Sequence, residues 1–350
     1  MKDAERQAKL AKFRKEVEDL DNVVGTAIDP KTGKIVALVT EKKPERDLPD
    51  NQLVANNTSL SKDEHGVVEV GELRAHSVPL AAESSAVVRP VEAGAEEQPK
   101  NRDWVGTASF LARVVDTSKG EWSTGVSTGS VVRLSNWHVY VGDEFVPHRP
   151  INQPFKGGKV GELVGEVPIT DGVKVDVAAR SVSIEDGWGT IGLETAENGE
   201  EYGRRVVYDI TDEHGGKTVT KSGRTTDVTT AEVVLVDVSV DIDYGEPGHP
   251  NLVRVDDCVI TTDLGAPGDS GSPVFLTEDG ALCGLYFAGS AVSGVFSQIG
   301  NVRDALGVEP ITDWDEDTPP TDYAVDRPTD DDLEQFKRDL VEFVESWHPS

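Results

Sequence analysis

Apolar positions along the chain follow two rhythms. Near the start Leu10, Phe13, Val17 and Leu20 recur three or four residues apart within a charged run, the spacing of an amphipathic helix over residues 3–21. Its apolar stripe packs either on its own domain or on another subunit. From residue 23 the rhythm shortens. Residues 23–28 and 34–40, joined by Asp29-Pro30-Lys31-Thr32-Gly33, read as a β-hairpin, and a second small strand pair is expected between Gly66 and Pro79. The leading divisions are therefore an N-terminal helix within residues 1–22 and a small β-rich N-terminal domain over 23–80. Residues 81–103 follow, rich in Ala, Glu and Pro without a clear period, and read as a linker.

From Trp104 to about residue 310 short strands alternate with Gly, Asp and Thr turns, including 108–116, 125–134, 175–181, 230–242 and 258–262. Few helical periods interrupt them, so this region is a mainly β barrel or sandwich. Past Pro310 the composition changes again: residues 311–350 hold 13 Asp/Glu against three Lys/Arg. Residues 311–328 read as an acidic linker. A calcium site there is disfavoured, because the run lacks the glycine and the alternating ligands of an EF-hand loop. Thr329 and Asp332 form a capping box for a C-terminal amphipathic helix over 329–347, with Leu333, Phe336, Leu340, Phe343, Val344 and Trp347 on one face. That face docks back on the chain or joins another subunit, so a homo-oligomer through the terminal helices is one expectation.

Charge narrows the classes of function. With 64 acidic and 34 basic residues the formal charge is −30, which repels nucleic-acid phosphates and anionic membrane surfaces. Neither nucleic acid nor membrane is an expected partner. Such an excess suits a protein kept soluble in concentrated salt, a halophile cytoplasmic signature; an acidic protein of ordinary cytosol is the alternative. No apolar run of 18 residues and no secretory h-region occur, in line with a cytoplasmic protein. Cys258 and Cys283 read as buried thiols, with a disulfide as the lesser alternative. The seven histidines make no metal-ligand spacing with them, so no metal and no cofactor is expected.

The most informative stretch is Gly265-Ala266-Pro267-Gly268-Asp269-Ser270-Gly271-Ser272-Pro273. It has the form of a nucleophilic serine in a turn of small residues, where the N–H groups of Gly268 and Ser270 could converge on an oxyanion. A plain hairpin is the alternative for so short a motif. A base and an orienter stand upstream: His138 in Leu134-Ser135-Asn136-Trp137-His138-Val139, and Asp176 in Val173-Lys174-Val175-Asp176-Val177-Ala178-Ala179. The separations are 38 residues from His138 to Asp176 and 94 from Asp176 to Ser270. In this order and spacing the three blocks resemble those of the trypsin/chymotrypsin-like serine peptidases.

Further segments narrow the likeness: Asn152-Gln153-Pro154, Val160-Gly161-Glu162-Leu163, Lys221-Ser222-Gly223-Arg224-Thr225-Thr226 and Gly284-Leu285-Tyr286-Phe287-Ala288-Gly289-Ser290. As a set they resemble the Narrow Leaf-like branch of these peptidases, here in an acidic, haloarchaeal-type form, over roughly residues 23–310. One departure is Trp137, where the branch usually has Asn before the histidine.

The resemblance implies a chymotrypsin-like double β-barrel, about 104–200 and 201–310, with the triad in the cleft between barrels. It also implies an endopeptidase acting on protein or peptide substrates, with Ser270 as nucleophile, His138 as base and Asp176 as orienter. The residue six before the serine, Leu264, would floor the pocket for the side chain preceding the cut and favour apolar or small groups. Phe287, Ala288 and Gly289 would offer a strand edge to the substrate backbone, or else be ordinary barrel core. A catalytically latent fold serving as an oligomeric protein-binding scaffold is the rival reading. A peptidase that cuts its own linkers is a third.

Overall fold

The computed structural model describes residues 3–75, 78–79, 86–154, 157–193, 195–245 and 249–320. Two large sheets dominate it, and each curls into a barrel. In the C-terminal sheet the pairing order is Thr218–Gly223, Pro273–Leu276, Leu282–Gly289, Ser293–Gln298, Leu252–Thr262 and Asp227–Asp243. Asp227–Asp243 then pairs with Thr218–Gly223, from Gly223↔Asp227 to Thr218↔Glu232, so six strands close on themselves. The 17-residue strand Asp227–Asp243 can serve two neighbours because its register against Leu252–Thr262 shifts three times between Val233 and Val240, and bulges of this kind bend a strand.

The N-terminal sheet runs Val308–Pro310, Leu111–Val114, Val131–Ser135, Ala178–Ser181, Gly158–Glu166, Pro150–Gln153, Glu96–Pro99, Trp104–Thr107 and Val78–Pro79. Trp104–Thr107 and Leu111–Val114 are two halves of one bent strand. At the bend Ala108 N–H donates to the Ala95 carbonyl and Ser109 N–H to the Leu134 carbonyl, each at 2.8 Å, so the sheet wraps back onto itself. Val308–Pro310 returns from the second barrel to pair with Leu111–Val114, tying the barrels together. The chain is thus mainly β with a chymotrypsin-like double-barrel architecture.

The N-terminal hairpin forms as its sequence suggests, with Val23–Ile28 against Ile35–Val39. Its turn is closed by Asp29, whose Oδ1 accepts the Lys31 N–H at 2.9 Å, ahead of Gly33 at φ +71°. It does not make a freestanding unit. Val23–Ile28 pairs with Asp227–Asp243 (Gly25↔Val240, Thr26↔Ser239), so residues 23–69 extend the second barrel's sheet. The helix Asp3–Val17 covers that extension, with Leu10, Phe13, Val17 and Leu20 sharing one core with Ile28, Ile35, Val219 and Phe296. Its stripe is therefore buried within its own chain.

The expected strand pair between Gly66 and Pro79 does not form. His65–Glu69 lies parallel beside Ile35–Val39, and Val78–Pro79 pairs with Trp104–Thr107; each segment finds a sheet edge already in place, where unpaired backbone groups await a partner. The C-terminal helix expected over 329–347 lies outside the described residues. No helix among the described residues is long and apolar enough to cross a membrane. Cys258 and Cys283 are buried free thiols, both pushed well up by burial.

The linker expectation is corrected for most of its length. Val91–Ala93 and Glu96–Pro99 are strands, and Glu96, Glu97 and Gln98 are buried; residues 81–85 lie outside the described ones. The acidic run is buried because distant arginines meet it. Arg180 Nε donates to Glu97 Oε2 at 2.9 Å and Arg180 Nη2 to Glu97 Oε1 at 2.5 Å, while the Tyr140 hydroxyl donates to the same carboxylate. Arg180 also holds Asp186 at 2.6 and 3.0 Å, and Arg133 Nε donates to Asp186 Oδ1 at 2.8 Å. Two cations thus balance two anions inside the first barrel, which is the condition for burying charge at tolerable cost.

Burial alone would raise the Asp186 carboxyl, but Arg180 and Arg133 override it and hold it at about 2. Its folded value therefore lies below the ordinary carboxylate value, so the stabilisation is complete above about pH 4 and disappears as pH falls towards 2. Urea unfolding across that window should show on the order of 2 kcal/mol lost from this group. Asp186→Asn should be less stable at neutral pH and should lose that part of the acid slope; an unchanged slope would refute the assignment.

Candidate active site

Each suspected catalytic side chain is held by a different element. The strand Val131–Ser135 is followed by Asn136, and a single helical turn, Trp137–Tyr140, carries His138. Asp176 stands just before the strand Ala178–Ser181, which pairs with Val131–Ser135 through Ser135↔Ala178. That register brings the two together: His138 Nδ1 lies 2.6 Å from Asp176 Oδ2. The His138 N–H donates to Asp176 Oδ1 at 3.3 Å, and Asn136 Nδ2 donates to the Asp176 carbonyl at 2.7 Å. Asp176 is fully buried and His138 is 6 % exposed. A carboxylate on Nδ1 fixes the proton there and leaves Nε2 as the basic nitrogen.

Tyr244, from the second barrel, meets the His138 ring edge-on at 6.1 Å. Burial first, then the Asp176 charge, pushes its phenol well above the usual range, so it stays neutral. Trp137, the departure from the branch pattern, is turned to other use: its indole N–H donates to Glu166 Oε2 at 2.6 Å. Burial raises the Glu166 carboxyl against that bond.

Ser270 sits between the strands Leu252–Thr262 and Pro273–Leu276, on a turn fastened from several directions. The Thr107 N–H donates to the Ser270 carbonyl at 2.8 Å, and the Gly271 N–H donates to the Tyr286 carbonyl at 2.9 Å. Position 271 must be glycine: its φ is +97°, and a Cβ there would lie 2.1 Å from the Thr107 carbonyl and 2.3 Å from Ser135 Oγ. First-barrel backbone therefore presses directly against the serine turn. Gly268 is also left-handed, at φ +98°. Thr107 Oγ1 donates to its carbonyl at 2.9 Å, and the Asp269 N–H donates to the Ala266 carbonyl at 3.0 Å. The peptide between 268 and 269 is thus pinned at both ends, with the Gly268 and Ser270 N–H groups on either side of it. Ser270 is 2 % exposed, and its Oγ donates to the Phe287 carbonyl at 3.4 Å.

The carboxylate beside the serine is the strongest anchor of this turn. Asp269 Oδ2 lies 3.0 Å from Lys221 Nζ, both side chains fully buried. The Asp269 carboxylate also accepts the N–H groups of Thr225 (2.7 Å), Thr226 (3.1 Å) and Ala266 (2.9 Å) and the Thr226 hydroxyl (2.6 Å). Burial lowers the Lys221 ammonium and Asp269 opposes that shift. Arg224 joins this assembly to the first barrel: its N–H donates to Thr107 Oγ1 at 3.1 Å and its Nε to Glu96 Oε2 at 2.8 Å. Lys221, Arg224 and Thr226 all fall in a segment visible in the sequence, but its recurrence alone carried no role for them. Thr107 and Glu96 had no sequence signal.

A cleft of about 440 Å³ opens beside Ser270, walled by Asp263, Gly265, Ala266, Pro267, Tyr286, Ala288, Gly289, Ser290 and, from the N-terminal segment, Glu72 and Arg74. Leu264 does not floor it. That side chain is 1 % exposed and packs in the second barrel's core with Val259, Tyr286 and Phe296. The strand Leu252–Thr262 ends in exposed Thr262, and the chain bends at exposed Asp263. The bend turns 264 inward, where its carbonyl accepts the Thr229 hydroxyl, and leaves Asp263 on the cleft side. The basis for an apolar or small preference goes with it. Phe287 and Ala288 are themselves buried core; Ala288 and Gly289 also line the cleft. Among the described residues no group of three His, Cys, Asp or Glu side chains is placed to hold a metal ion.

No family model matches the chain, and no curated protein matches it. Solved structures do. A glutamic acid specific serine protease that uses a histidine triad in substrate binding is 20% identical, covering 63% of this chain and 100% of that one, with a TM-score of 0.41. Thermobifida fusca Protease A is 15% identical, covering 64% and 100%, with a TM-score of 0.42. Cellulomonas bogoriensis chymotrypsin is 16% identical, covering 64% and 100%, with a TM-score of 0.41.

Proposed function

We propose that this chain is a serine endopeptidase of the trypsin/chymotrypsin-like kind, of the Narrow Leaf-like branch that its sequence segments resemble. The observation that carries the reading is the buried His138 Nδ1–Asp176 Oδ2 contact of 2.6 Å, set on the first barrel, against which the Ser270 turn of the second is packed. A serine hydroxyl is a weak nucleophile unless a neighbouring base takes its proton as it attacks. His138 Nε2 is the base; Asp176 orients the ring and stabilises the imidazolium.

As Ser270 Oγ bonds to the substrate carbonyl carbon, the carbonyl π pair moves onto oxygen. The N–H groups of Gly268 and Ser270 receive that oxyanion, held in place beforehand by the pinned 268–269 peptide. Collapse breaks the C–N bond, and His138 returns the proton to the leaving amine. Water, deprotonated by His138, then attacks the acyl ester and releases Ser270 and a carboxylate. The substrate is a protein or peptide in extended form, its backbone added to the stretch from Phe287 to Gly289. A fluorophosphonate, which phosphonylates activated serines, should add one adduct per folded chain, on Ser270. A folded chain that takes no adduct would defeat the proposal.

A further inference from the structure

Residues 70–75 belong to neither closed barrel, yet they are fastened along the cleft. The Arg74 N–H donates to the Gly289 carbonyl at 3.1 Å, and the Gly289 N–H donates back to the Arg74 carbonyl at 3.1 Å. This reciprocal pair is an antiparallel bridge on the strand Leu282–Gly289. On the other flank the Ala75 N–H donates to the Asp243 carbonyl at 3.0 Å and the Asp243 N–H to the Leu73 carbonyl at 3.1 Å. Val70 and Leu73 are buried in one core with Phe287 and Ala288, and Ser290 Oγ donates to the Val70 carbonyl at 2.7 Å. The segment is thus built into the wall of the site by backbone pairing on both sides.

Its direction carries the argument. Because the pairing with Gly289 is antiparallel, the step from Arg74 to Ala75 runs back along Leu282–Gly289 towards Phe287, whose carbonyl is 3.4 Å from Ser270 Oγ. A peptide presenting a carbonyl to Ser270 while pairing with this stretch would run the same way and use the same Gly289 N–H and C=O. We propose that residues 73–75 are an in-built occupant of the substrate strand, so that an extended peptide gains full access only by displacing the chain's own segment. This rests on the peptidase reading and names the first ligand of that site. The ligand class is an extended peptide held by main-chain bonds, and apparent affinity for an outside peptide is reduced by the fraction of molecules whose strand is open.

Two reagents separate the strand from the serine: a small fluorophosphonate that needs only Ser270, and a peptidyl phosphonate with three or more residues before phosphorus that also needs Gly289. Arg74→Pro removes the N–H given to Gly289. Its labelling rate with the peptidyl reagent should rise roughly tenfold or more, with little change for the small reagent. Equal peptidyl rates in wild type and variant would overturn the proposal. If neither reagent labels either protein, the peptidase reading is lost, and amide hydrogen exchange still judges the occupant: the Gly289 amide should be protected in the wild type and exchange faster in Arg74→Pro. A Gly289 amide that exchanges freely in the wild type would overturn the proposal without recourse to any variant.

Discussion

Asp176→Asn is expected to lower turnover by about 10⁴-fold while leaving the fold intact. Asparagine fills the same buried space and can still accept the His138 N–H that now reaches Asp176 Oδ1 at 3.3 Å. What changes is the partner of the ring. An amide NH₂ placed where Oδ2 now lies 2.6 Å from His138 Nδ1 would donate, drawing the imidazole into the tautomer with its proton on Nε2. That ring cannot accept the Ser270 proton. Ester hydrolysis, normalised to circular dichroism and the thermal midpoint, is the measurement. A variant with near wild-type turnover would show that His138 does not depend on Asp176 for its orientation.

Lys221→Met should cost about 3–5 kcal/mol of stability, because it strands the Asp269 carboxylate in a fully buried site. The four N–H and hydroxyl donors around Asp269 would remain, but no cation would. The lysine also donates to the Asp227 carbonyl at 3.1 Å, so part of the loss comes from the turn at Thr225 and Thr226. Since Asp269 is bonded through its backbone to Ser270, the damage should extend to labelling of the serine. Combining Lys221→Met with Asp269→Asn should recover much of the lost stability, since the uncompensated charge is gone. Urea unfolding of the two variants reads both outcomes. A single variant as stable as wild type would mean that the ammonium contributes nothing to holding the turn.

Much of the fold was legible where a local pattern and its tertiary partner agreed. Leu10, Phe13 and Val17 announce a helix, and the hairpin around Asp29 and Gly33 carries its own turn chemistry. The contact of His138 with Asp176 was legible for another reason: the proposed acyl-transfer chemistry calls for particular residue types, and the blocks around His138, Asp176 and Ser270, in one order, stand out against composition. Glu96 and Glu97 show where legibility fails. Their run, Ala-Glu-Glu-Gln-Pro, has no alternation and looks solvated, because what buries it is Arg224 and Arg180, 128 and 83 residues away. The fate of Leu264 follows from a bend at Asp263 just past the strand Leu252–Thr262, which residue counting from the serine cannot resolve. Arg74 gave no local sign either, since its role lies in backbone pairing, and pairing partners are chosen by topology.

The central claim is that His138 and Ser270 work as one nucleophile, and fluorophosphonate labelling of wild type, Ser270→Ala and His138→Ala in high salt and low salt tests it most directly. The account predicts that folded wild type is labelled on Ser270 and that both variants, equally folded, are not. Resistance of the folded wild type, or undiminished labelling of His138→Ala, would contradict it.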